Sequence, residues 1–573
     1  MKNHNEISSF IWNVCDDVLR GLFKQHEYGD VILPFVVLRR LDCVLEEKKD
    51  DIIKIHNEYK DKFDNTSRVI HSKLNIKFSN YSRYDLNRLK QDPSKLSDNF
   101  YDYLSSYSTN VNDIIQNFGL QKHIDKLESN DKLYLLVEKF TDINLHPNVV
   151  DNHTMGQIFE ELLRKFSEMS NETSGEHYTP RDVVKLLVSL VFSSDKEKLN
   201  QPDKLLSIYD PCCGTGGMLT IGKDWLKENT RVNPSNINLF GQELNPQTYS
   251  ICKSDFLITD EQPDNIKLGS TLTNDQYGDG NRKFDYMITN PPFGVSWKSE
   301  QKQIKNESEE YGGRFSVGTP RVSDGSLLFL QHMISKMETQ NSRIGVVFSS
   351  SPLYTGDSGS GESEIRKWII ENDWLECIVS LPSNIFFNTG IPTYIWIVTN
   401  NKRSERKGKV QLINGTEYYT KLKRNLGSKN RNISDKGHSD IIDLYNGFFE
   451  KVGLSKIYSN DFFGYKKLTI EQPLVDEDGN TIMNKKGNPK PNSKLRDYER
   501  IPLSENIEDY FEREIKPHSP NSWIDKDKIS IGYEINFNKC FFQYQPLRST
   551  KEIFSELNHL ESLINNDIEK LNI

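Results

Sequence analysis

The chain has 573 residues and a formal net charge of −9, with 35% hydrophobic and 27% charged residues. This length and composition indicate a globular protein with two or three domains. No stretch is long and apolar enough to span a bilayer, and the N-terminus has no apolar signal-peptide core, so we expect a cytoplasmic protein without membrane contact. The acidic balance argues against a chain that grips DNA unaided, because Lys and Arg supply most nonspecific affinity for phosphates.

The first 150 residues have a helical pattern. Apolar residues from Ile11 to Phe23 fall at spacings of three and four, and the segment from Val31 to Leu45 repeats this pattern. The periodicity predicts an all-helical domain over residues 1–150. Further along, an apolar run from Val183 to Phe192 predicts another helix, for which Thr179 is the expected N-cap and Pro180 the first helical residue.

A glycine-rich turn follows the next predicted strand, Leu205–Tyr209. The turn reads Asp210-Pro211-Cys212-Cys213-Gly214-Thr215-Gly216-Gly217 and leads into a helix-like segment from Met218 to Asn229. Glycines in a strand-to-helix turn let a ligand approach the backbone, and a helix N-terminus favours negative charge. The next predicted strand ends at Glu243, about 26 residues past the loop, where a carboxylate can accept hydrogen bonds from ribose hydroxyls. The spacing predicts a site for a nucleotide-type cofactor.

The seven cysteines predict neither a disulfide framework nor a metal site. They are scattered except for Cys212 and Cys213, and this adjacency lacks the Cys-x-x-Cys spacing of zinc sites. We expect both to line the cofactor loop as small, reduced side chains.

A turn with few hydrogen-bond donors follows the predicted strand Lys283–Thr289. It reads Asn290-Pro291-Pro292-Phe293, in which neither proline has an amide hydrogen. The Asn290 carboxamide oxygen and the Pro291 carbonyl can accept both hydrogens of an exocyclic amine, and the Phe293 ring offers a face to a planar base. The turn is therefore a candidate receptor for an amino group on an aromatic ring, although Asn-Pro and Pro-Pro are also ordinary turn sequences.

In this order, the two motifs resemble those of S-adenosylmethionine-dependent amino-methyltransferases. Tyr28–Pro34, Leu38–Asp42 and the stretch from Ser351 to Tyr394 resemble the modification (M) subunits of type I restriction-modification systems, which are N6-adenine DNA methyltransferases. The resemblance covers nearly the whole chain. It implies an α/β, Rossmann-like methyltransferase domain between an N-terminal helical domain and a C-terminal helical tail, with S-adenosyl-L-methionine as cofactor and adenine N6 in DNA as methyl acceptor.

The resemblance also implies site residues. The catalytic residues are Asn290, Pro291, Pro292 and Phe293, with the target base flipped out of the helix and stacked on Phe293. The cofactor residues are Glu176, His177, Tyr178, Thr179, Pro180, Arg181, Asp210, Gly214, Thr215, Gly216, Gly217 and Glu243. The family usually has an acidic residue, which contacts the cofactor's adenine amine, where this chain has Ser270. Asp255 is an alternative acid, and a surface charge is the simpler interpretation of it.

Several later segments allow predictions of their own. Ser296–Pro320 is expected to form a long loop that covers the site, and His332 is expected to be a packing residue. Tyr394–Thr399 and Val410–Ile413 are predicted to pair as antiparallel strands. The basic clusters Lys402–Lys409 and Lys421–Arg431 are either solvated loops or contacts to the DNA backbone. Leu474–Tyr498 is expected to be a surface excursion.

The C-terminal segment, Ser549–Ile573, has apolar residues at heptad-like spacing. By pattern alone it is either a helix for a partner or a helix folded on its own core, and the resemblance favours the partner. The predicted division is 1–150 helical, 151–425 catalytic, 426–548 a mixed extension and 549–573 a partner-binding helix.

The resemblance implies DNA, a specificity (S) subunit and a second M subunit as partners, and leaves open a restriction (R) subunit. Two rival functions remain at this point. One is methylation of an RNA base or of a protein glutamine, and the other is an inactive scaffold in a defence complex.

Overall fold

A computed structural model describes residues 9–169, 179–278, 282–387, 389–478, 480–542 and 548–570. Within these ranges, no helix is both long and apolar enough to cross a membrane.

The N-terminal region is helical, as the periodicity predicts. After a helical segment over residues 9–14 and a π-helical turn, Cys15–Leu19, its helices are Tyr28–Leu45 (α1), Lys49–Tyr59 (α2), Ser67–Leu74 (α3), Leu86–Gln91 (α4), Leu96–Ser105 (α5), Thr109–Phe118 (α6), Leu120–Glu128 (α7), Leu133–Thr141 (α8) and Asn152–Met169 (α9). The central helix α1 is buried on nearly all sides, and Arg40 within it donates to the Val150 carbonyl over 2.8 Å. Long apolar side chains of α9 complete this core, so α9 packs with the helical region.

The catalytic region is built on a nine-stranded sheet. Its strands, in the spatial order β11-β8-β6-β7-β5-β4-β1-β2-β3, are Leu206–Asp210 (β1), Ile237–Glu243 (β2), Ile266–Leu268 (β3), Tyr286–Thr289 (β4), Arg343–Ser349 (β5), Leu375–Ser380 (β6), Thr393–Thr399 (β7), Lys409–Asn414 (β8) and Ser455–Ser459 (β11). Strands β1 to β5 are mutually parallel where they pair, whereas β7 runs antiparallel between β5 and β6. The sheet therefore has the predicted α/β, Rossmann-like character.

Helices cover both faces of this sheet. The helices that follow α9 are Arg181–Ser193 (α10), Lys196–Leu199 (α11), Gly217–Asn229 (α12), Pro246–Ile258 (α13), Gln301–Glu309 (α14), Ser326–Ser335 (α15), Ser351–Tyr354 (α16), Gly361–Glu371 (α17) and Asp435–Gly447 (α18). Side chains alternate along each strand, so that Ile288 packs with α10 and α12 while its neighbour Met287 packs with α15 and α17. Strands buried on both faces explain the apolar runs in the sequence.

The predicted pairing of Tyr394–Thr399 with Val410–Ile413 is wrong. Strand β6 lies between β7 and β8, pairing antiparallel with β7 and parallel with β8. All six residues of β6 are buried, and a strand in this position needs backbone partners on both sides. The connection between β7 and β8 therefore crosses over β6.

The helical region packs against the catalytic region through α13, the helix that follows Glu243. Ile251, Leu257 and Ile258 of α13 belong to the N-terminal core. Asp113 of α6 accepts hydrogen bonds from Tyr249 at 2.6 Å and from Lys253 at 2.8 Å. These contacts fix the helical region beside the carboxyl end of β2.

The C-terminal part adds two small sheets and a long helix. Its remaining elements are the hairpin Tyr419–Leu426 (β9) and Lys429–Ile433 (β10), the strands Gly464–Glu471 (β12), Asp497–Pro502 (β13), Trp523–Ile524 (β14) and Ser530–Tyr533 (β15), and the helices Ile507–Tyr510 (α19), Phe537–Phe541 (α20) and Thr550–Lys570 (α21). The described residues between β12 and β13 are mostly exposed, as expected of a surface excursion.

Candidate active site

The predicted site residues meet at the carboxyl edge of four neighbouring strands. Because the sheet order is β4-β1-β2-β3, the ends of these strands present Asn290, Asp210, Glu243 and Ser270 in a row. A cavity of about 830 Å³ opens along this edge. We call it the sheet-edge cavity, and its lining includes Thr179, Arg181, Asp210, Gly214, Thr215, Gly217, Glu243, Asn290 and Pro292 from the predicted set.

Asp210 is a buried carboxylate at the end of β1. Its Oδ1 accepts from the Cys212 backbone amide at 3.0 Å and from the Thr289 hydroxyl at 2.6 Å. Burial, with a smaller contribution from the nearby Glu243 carboxylate, raises the pKa of Asp210 to about 7 against the opposing effect of the two hydrogen bonds. A carboxyl group in this state can be ionised by a cationic ligand that enters the cavity.

The glycine loop adopts backbone conformations that need glycine. Gly214 has φ +53° and Gly216 has φ +86°. A Cβ on Gly216 would lie 2.8 Å from the Cys252 sulfur, so a side chain there would also displace α13. Gly217 begins α12, as the strand-to-helix turn predicts.

Glu243 fixes the loop from the neighbouring strand. Its Oε2 accepts from the Gly214 amide at 2.9 Å, and its Oε1 accepts from the Asn245 amide at 2.8 Å. Each carboxylate oxygen can accept a second hydrogen bond, so both can still receive a ligand hydroxyl. Thus Glu243 orients the glycine loop and lines the cavity at once.

The Asn290 carboxamide is held in one orientation. Its Nδ2 donates to the Thr179 hydroxyl at 3.0 Å, whereas its buried Oδ1 has no hydrogen-bond partner among the described residues. An unpaired buried oxygen is costly to a folded protein, which is why such an atom marks a place for a ligand donor. The contact thus leaves a buried acceptor on a residue that lines the sheet-edge cavity.

The predicted N-cap at Thr179 is wrong. Helix α10 begins at Arg181, Pro180 holds the cap position, and no side chain among the described residues caps the helix. The Thr179 hydroxyl is instead engaged by Asn290 from a segment 111 residues away. Glu176, His177 and Tyr178 lie outside the described residues, so their predicted roles stay predictions.

The rest of the catalytic turn is partly enclosed. Pro291 is buried, and Pro292 and Phe293 are half-buried. The Phe293 ring meets Phe386 edge to face, with centroids 5.7 Å apart and planes at 82°. Phe386, from the loop after β6, is thus a neighbour of the turn that no local motif predicted.

The segment after the turn is more ordered than a covering loop. It contains α14, and Trp297, Ile304 and Phe315 form a small core with Leu272 and Leu328. Its Val295, Ser296, Trp297 and Glu300 line the cavity. The prediction that Ser296–Pro320 is a loop is wrong where α14 forms, because this segment has apolar residues of its own to bury, whereas its expected position over the site agrees with the lining residues.

Arg314 ties this segment to the sheet edge. It donates to the carbonyls of Thr271 and Leu272, each at 2.8 Å, and to Nδ1 of His332 at 2.9 Å. His332 is buried against Tyr209, and burial lowers its pKa to about 3. The prediction that His332 is a packing residue is confirmed.

The helical region supplies a wall that the sequence did not reveal. Asn152, Gly156, Gln157, Phe159 and Leu163 of α9 line the cavity opposite the glycine loop. Asp255 of α13 lies there too and is half-buried, so it is not a simple surface charge. These positions follow from domain packing, which leaves no motif in the chain.

Two side chains of the first basic cluster have structural roles. Lys402 is buried and pairs with Asp373 at 2.6 Å, and Arg406 is buried with Glu376 at 3.9 Å. The backbone-contact prediction is therefore wrong for these two side chains and stays a prediction for Arg403, Lys407 and Lys409, which are exposed. In the second cluster Lys429 pairs with Asp182 at 3.3 Å, but Lys421, Lys423 and Arg424 on β9 are exposed.

Two family models match the chain. The model described as N-6 DNA Methylase matches residues 150–475, and the model described as HsdM N-terminal domain matches residues 7–140. A curated relative is the type I restriction enzyme MjaIX methylase subunit of Methanocaldococcus jannaschii, 26% identical over 486 residues that cover 82% of this chain and 81% of that protein. The HindI methylase subunit of Haemophilus influenzae is 29% identical over 317 residues, which cover 54% of this chain and 66% of that protein.

Solved structures share the fold. The methyltransferase subunit of a type I restriction-modification system from Streptococcus thermophilus superposes with a TM-score of 0.63 at 20% identity, covering 80% of this chain and 97% of that one. A chain from a study of complex assembly and conformational transition of a type I restriction-modification system superposes with a TM-score of 0.52 at 20% identity, covering 98% of this chain and 96% of that one.

Proposed function

The chain belongs to the N-6 DNA methylase family, since that family's model matches more than half of its length, and we propose that the turn from Asn290 to Phe293 holds its target amine. The protein is a methylase subunit of a type I restriction-modification system, an S-adenosylmethionine-dependent adenine methyltransferase acting on DNA. The RNA, glutamine and scaffold alternatives have no comparable support.

One observation carries the proposal for the turn. The Asn290 carboxamide gives its NH₂ group to Thr179 and keeps its buried oxygen without a partner among the described residues. An amide held in this way presents an acceptor, and the adenine N6 amine is a donor. Drawing the amine's hydrogens toward acceptors keeps its lone pair directed at the methyl donor and stabilises the positive charge that develops on nitrogen.

The cofactor residues fit S-adenosylmethionine. When bound, the cofactor supplies an electrophilic methyl group on its sulfonium. The Asp210 carboxylate suits a cationic ammonium, the glycine loop from Gly214 to Gly217 permits close approach, and Glu243 keeps free lone pairs for ribose hydroxyls. We assign Thr179, Pro180, Arg181 and Thr215 to the same site because of their positions around it.

Phe293 is assigned to the flipped target base. Its ring is half-buried and meets the Phe386 ring edge to face, so the orientation of the ring is held three residues after Asn290. Stacking on such a ring offsets part of the cost of extruding a base from the duplex.

Asn290→Ala tests the turn. Methyl transfer to cognate DNA by the assembled complex should fall on the order of 10²–10³-fold, because an interaction with the reacting amine is lost. The dissociation constant for S-adenosylhomocysteine, measured by calorimetry, should stay the same. Thr179→Val should cause a smaller loss by freeing the carboxamide to rotate, and Thr179→Ser should restore activity. Retained turnover in Asn290→Ala would overturn the assignment.

The partners of this chain are DNA and other subunits of the type I complex. We propose which subunits these are. Helix α21 presents Ile553, Phe554, Leu557, Leu560, Leu563, Ile564 and Ile568 with 43–60% of each side chain exposed. It does not fold on the described core of its own chain. We assign this stripe to a helix of the specificity subunit, which would read the DNA sequence, with a second methylase subunit and a restriction subunit as further members.

We also propose that the β9–β10 hairpin contacts the DNA backbone. Lys421, Lys423 and Arg424 are exposed on β9, and the turn of the hairpin is bonded to the Phe387 carbonyl through the Ser428 amide at 2.8 Å. Phe387 follows the Phe386 ring that braces Phe293. Three cations therefore lie on an element tied to the target-base turn.

A further inference from the structure

The end of β3 is the last of four neighbouring strand ends along the sheet edge. Neighbouring strands lie about 4.8 Å apart, so the ends of β4, β1, β2 and β3 follow one another at that interval. A cofactor with its methyl group near Asn290 and its ribose at Glu243 has its base beyond β2. That place is the end of β3, at Ser270.

A carboxylate from a different segment occupies this place. Glu300, which precedes α14, lines the sheet-edge cavity, and its Oε1 accepts from the Ser270 hydroxyl at 2.5 Å and from the Thr273 hydroxyl at 3.1 Å. No described residue donates to Oε2 or forms an ion pair with Glu300. Two hydroxyls thus orient the carboxylate without neutralising it, which leaves a charged acceptor at the end of β3.

The backbone around Glu300 is firmly held. Its amide donates to the Trp297 carbonyl at 3.1 Å, and the buried Trp297 donates from Nε1 to the Arg321 carbonyl at 3.0 Å. On the other side, Arg314 holds the carbonyls of Thr271 and Leu272. The carboxylate and its hydroxyl partners therefore have fixed relative positions.

Apolar side chains flank the same end of the cavity. Leu244, directly after Glu243, is 68% exposed, and Leu272 also lines the cavity. An exposed leucine and a carboxylate acceptor that line one cavity match a flat heterocycle that carries an amino group at its edge.

We infer that Glu300 accepts the exocyclic amine of the cofactor's adenine and that Ser270 is the positioning residue that aims it. This inference rests on the proposed cofactor site. A carboxylate accepts from an amine but repels the carbonyl oxygen at the same ring position of hypoxanthine. Glu300 then determines specificity for adenine, and it links the cofactor's base to the segment that follows the catalytic turn.

The test compares two ligands whose bases differ at ring position 6, which carries an amine in one and a carbonyl in the other, with a hydrogen on the adjacent N1 of the second. Calorimetry on the full chain measures the dissociation constants of S-adenosylhomocysteine and of S-inosylhomocysteine, its hypoxanthine counterpart. Wild-type protein should favour the adenosyl ligand. Glu300→Gln should weaken adenosyl binding about 10-fold or more and reduce the preference, because an amide can also donate to the hypoxanthine oxygen. Ser270→Ala should have a smaller effect in the same direction.

The controls separate this inference from the cofactor site itself. Glu309→Gln removes an exposed carboxylate from α14 and should change neither constant. Glu243→Ala should weaken both ligands alike. If Glu300→Gln keeps the wild-type preference within two-fold while Glu243→Ala weakens both, the role of Glu300 is refuted and the cofactor site stands. If neither variant changes either constant, both assignments fail.

Discussion

The catalytic sheet buries its apolar residues, whereas the terminal helix α21 exposes them. Strands β5, β6 and β7 are buried along their whole length, whereas every described side chain of α21 up to residue 568 is exposed. A stretch of seven large apolar side chains in water has no stabilising role in the isolated chain. A buried sheet is stable within this chain, whereas an exposed apolar stripe is available to another subunit of the type I complex, as proposed above.

Removal of the terminal helix should have the largest effect on this comparison. A chain that ends at residue 548 should not co-elute with the specificity subunit on size exclusion and should lose DNA methylation, while its cofactor affinity stays unchanged.

A point variant gives the finer version of this experiment. Leu560→Glu should weaken assembly roughly 10- to 100-fold, because burial of one leucine is worth about 2 kcal/mol. Glu561→Gln on the same helix is the control. An intact complex after truncation would show that the stripe is not the docking surface.

The pH dependence of cofactor affinity tests the role of Asp210 in the catalytic sheet. The pKa of Asp210 is raised to about 7, so the carboxyl group is protonated at pH 6 and ionised at pH 8. A cationic ligand favours the ionised form, so affinity should rise about 10-fold from pH 6 to pH 8, and binding should release a proton. Calorimetry in two buffers of different ionisation enthalpy measures that proton. The Asp210→Asn variant should bind the ligand weakly at both pH values. An affinity of the wild-type protein that does not change with pH would contradict the role assigned to Asp210.

Charge removal on the β9–β10 hairpin should have the smallest effect. The triple variant Lys421→Ala, Lys423→Ala, Arg424→Ala should weaken DNA binding of the complex about 3- to 10-fold and lower the slope of log affinity against log salt by up to about 3. The matched control replaces Lys485, Lys486 and Lys490, which are equally exposed on the distant excursion. Equal effects of the two triples would mean that only net charge matters.

Local chemistry explains why much of the site could be predicted. The strand-turn-helix pattern from Leu205 to Asn229 and the turn at Asn290 each lie within one continuous segment, and the structure forms the expected elements there. The apolar spacing of the C-terminal segment predicted a helix. It did not predict that the apolar stripe is exposed, since periodicity alone does not say what covers such a stripe.

Turn chemistry and hydrophobic periodicity depend on neighbouring residues, so the sequence alone specifies the nature of the elements and the order of the motifs along the chain. Only the tertiary structure decided which distant groups meet. The insertion of β6 between β7 and β8, the contact of Thr179 with Asn290 and that of Ser270 with Glu300 all join separate segments. Such contacts are set by sheet order and by the burial of whole faces, which no short pattern in the chain encodes.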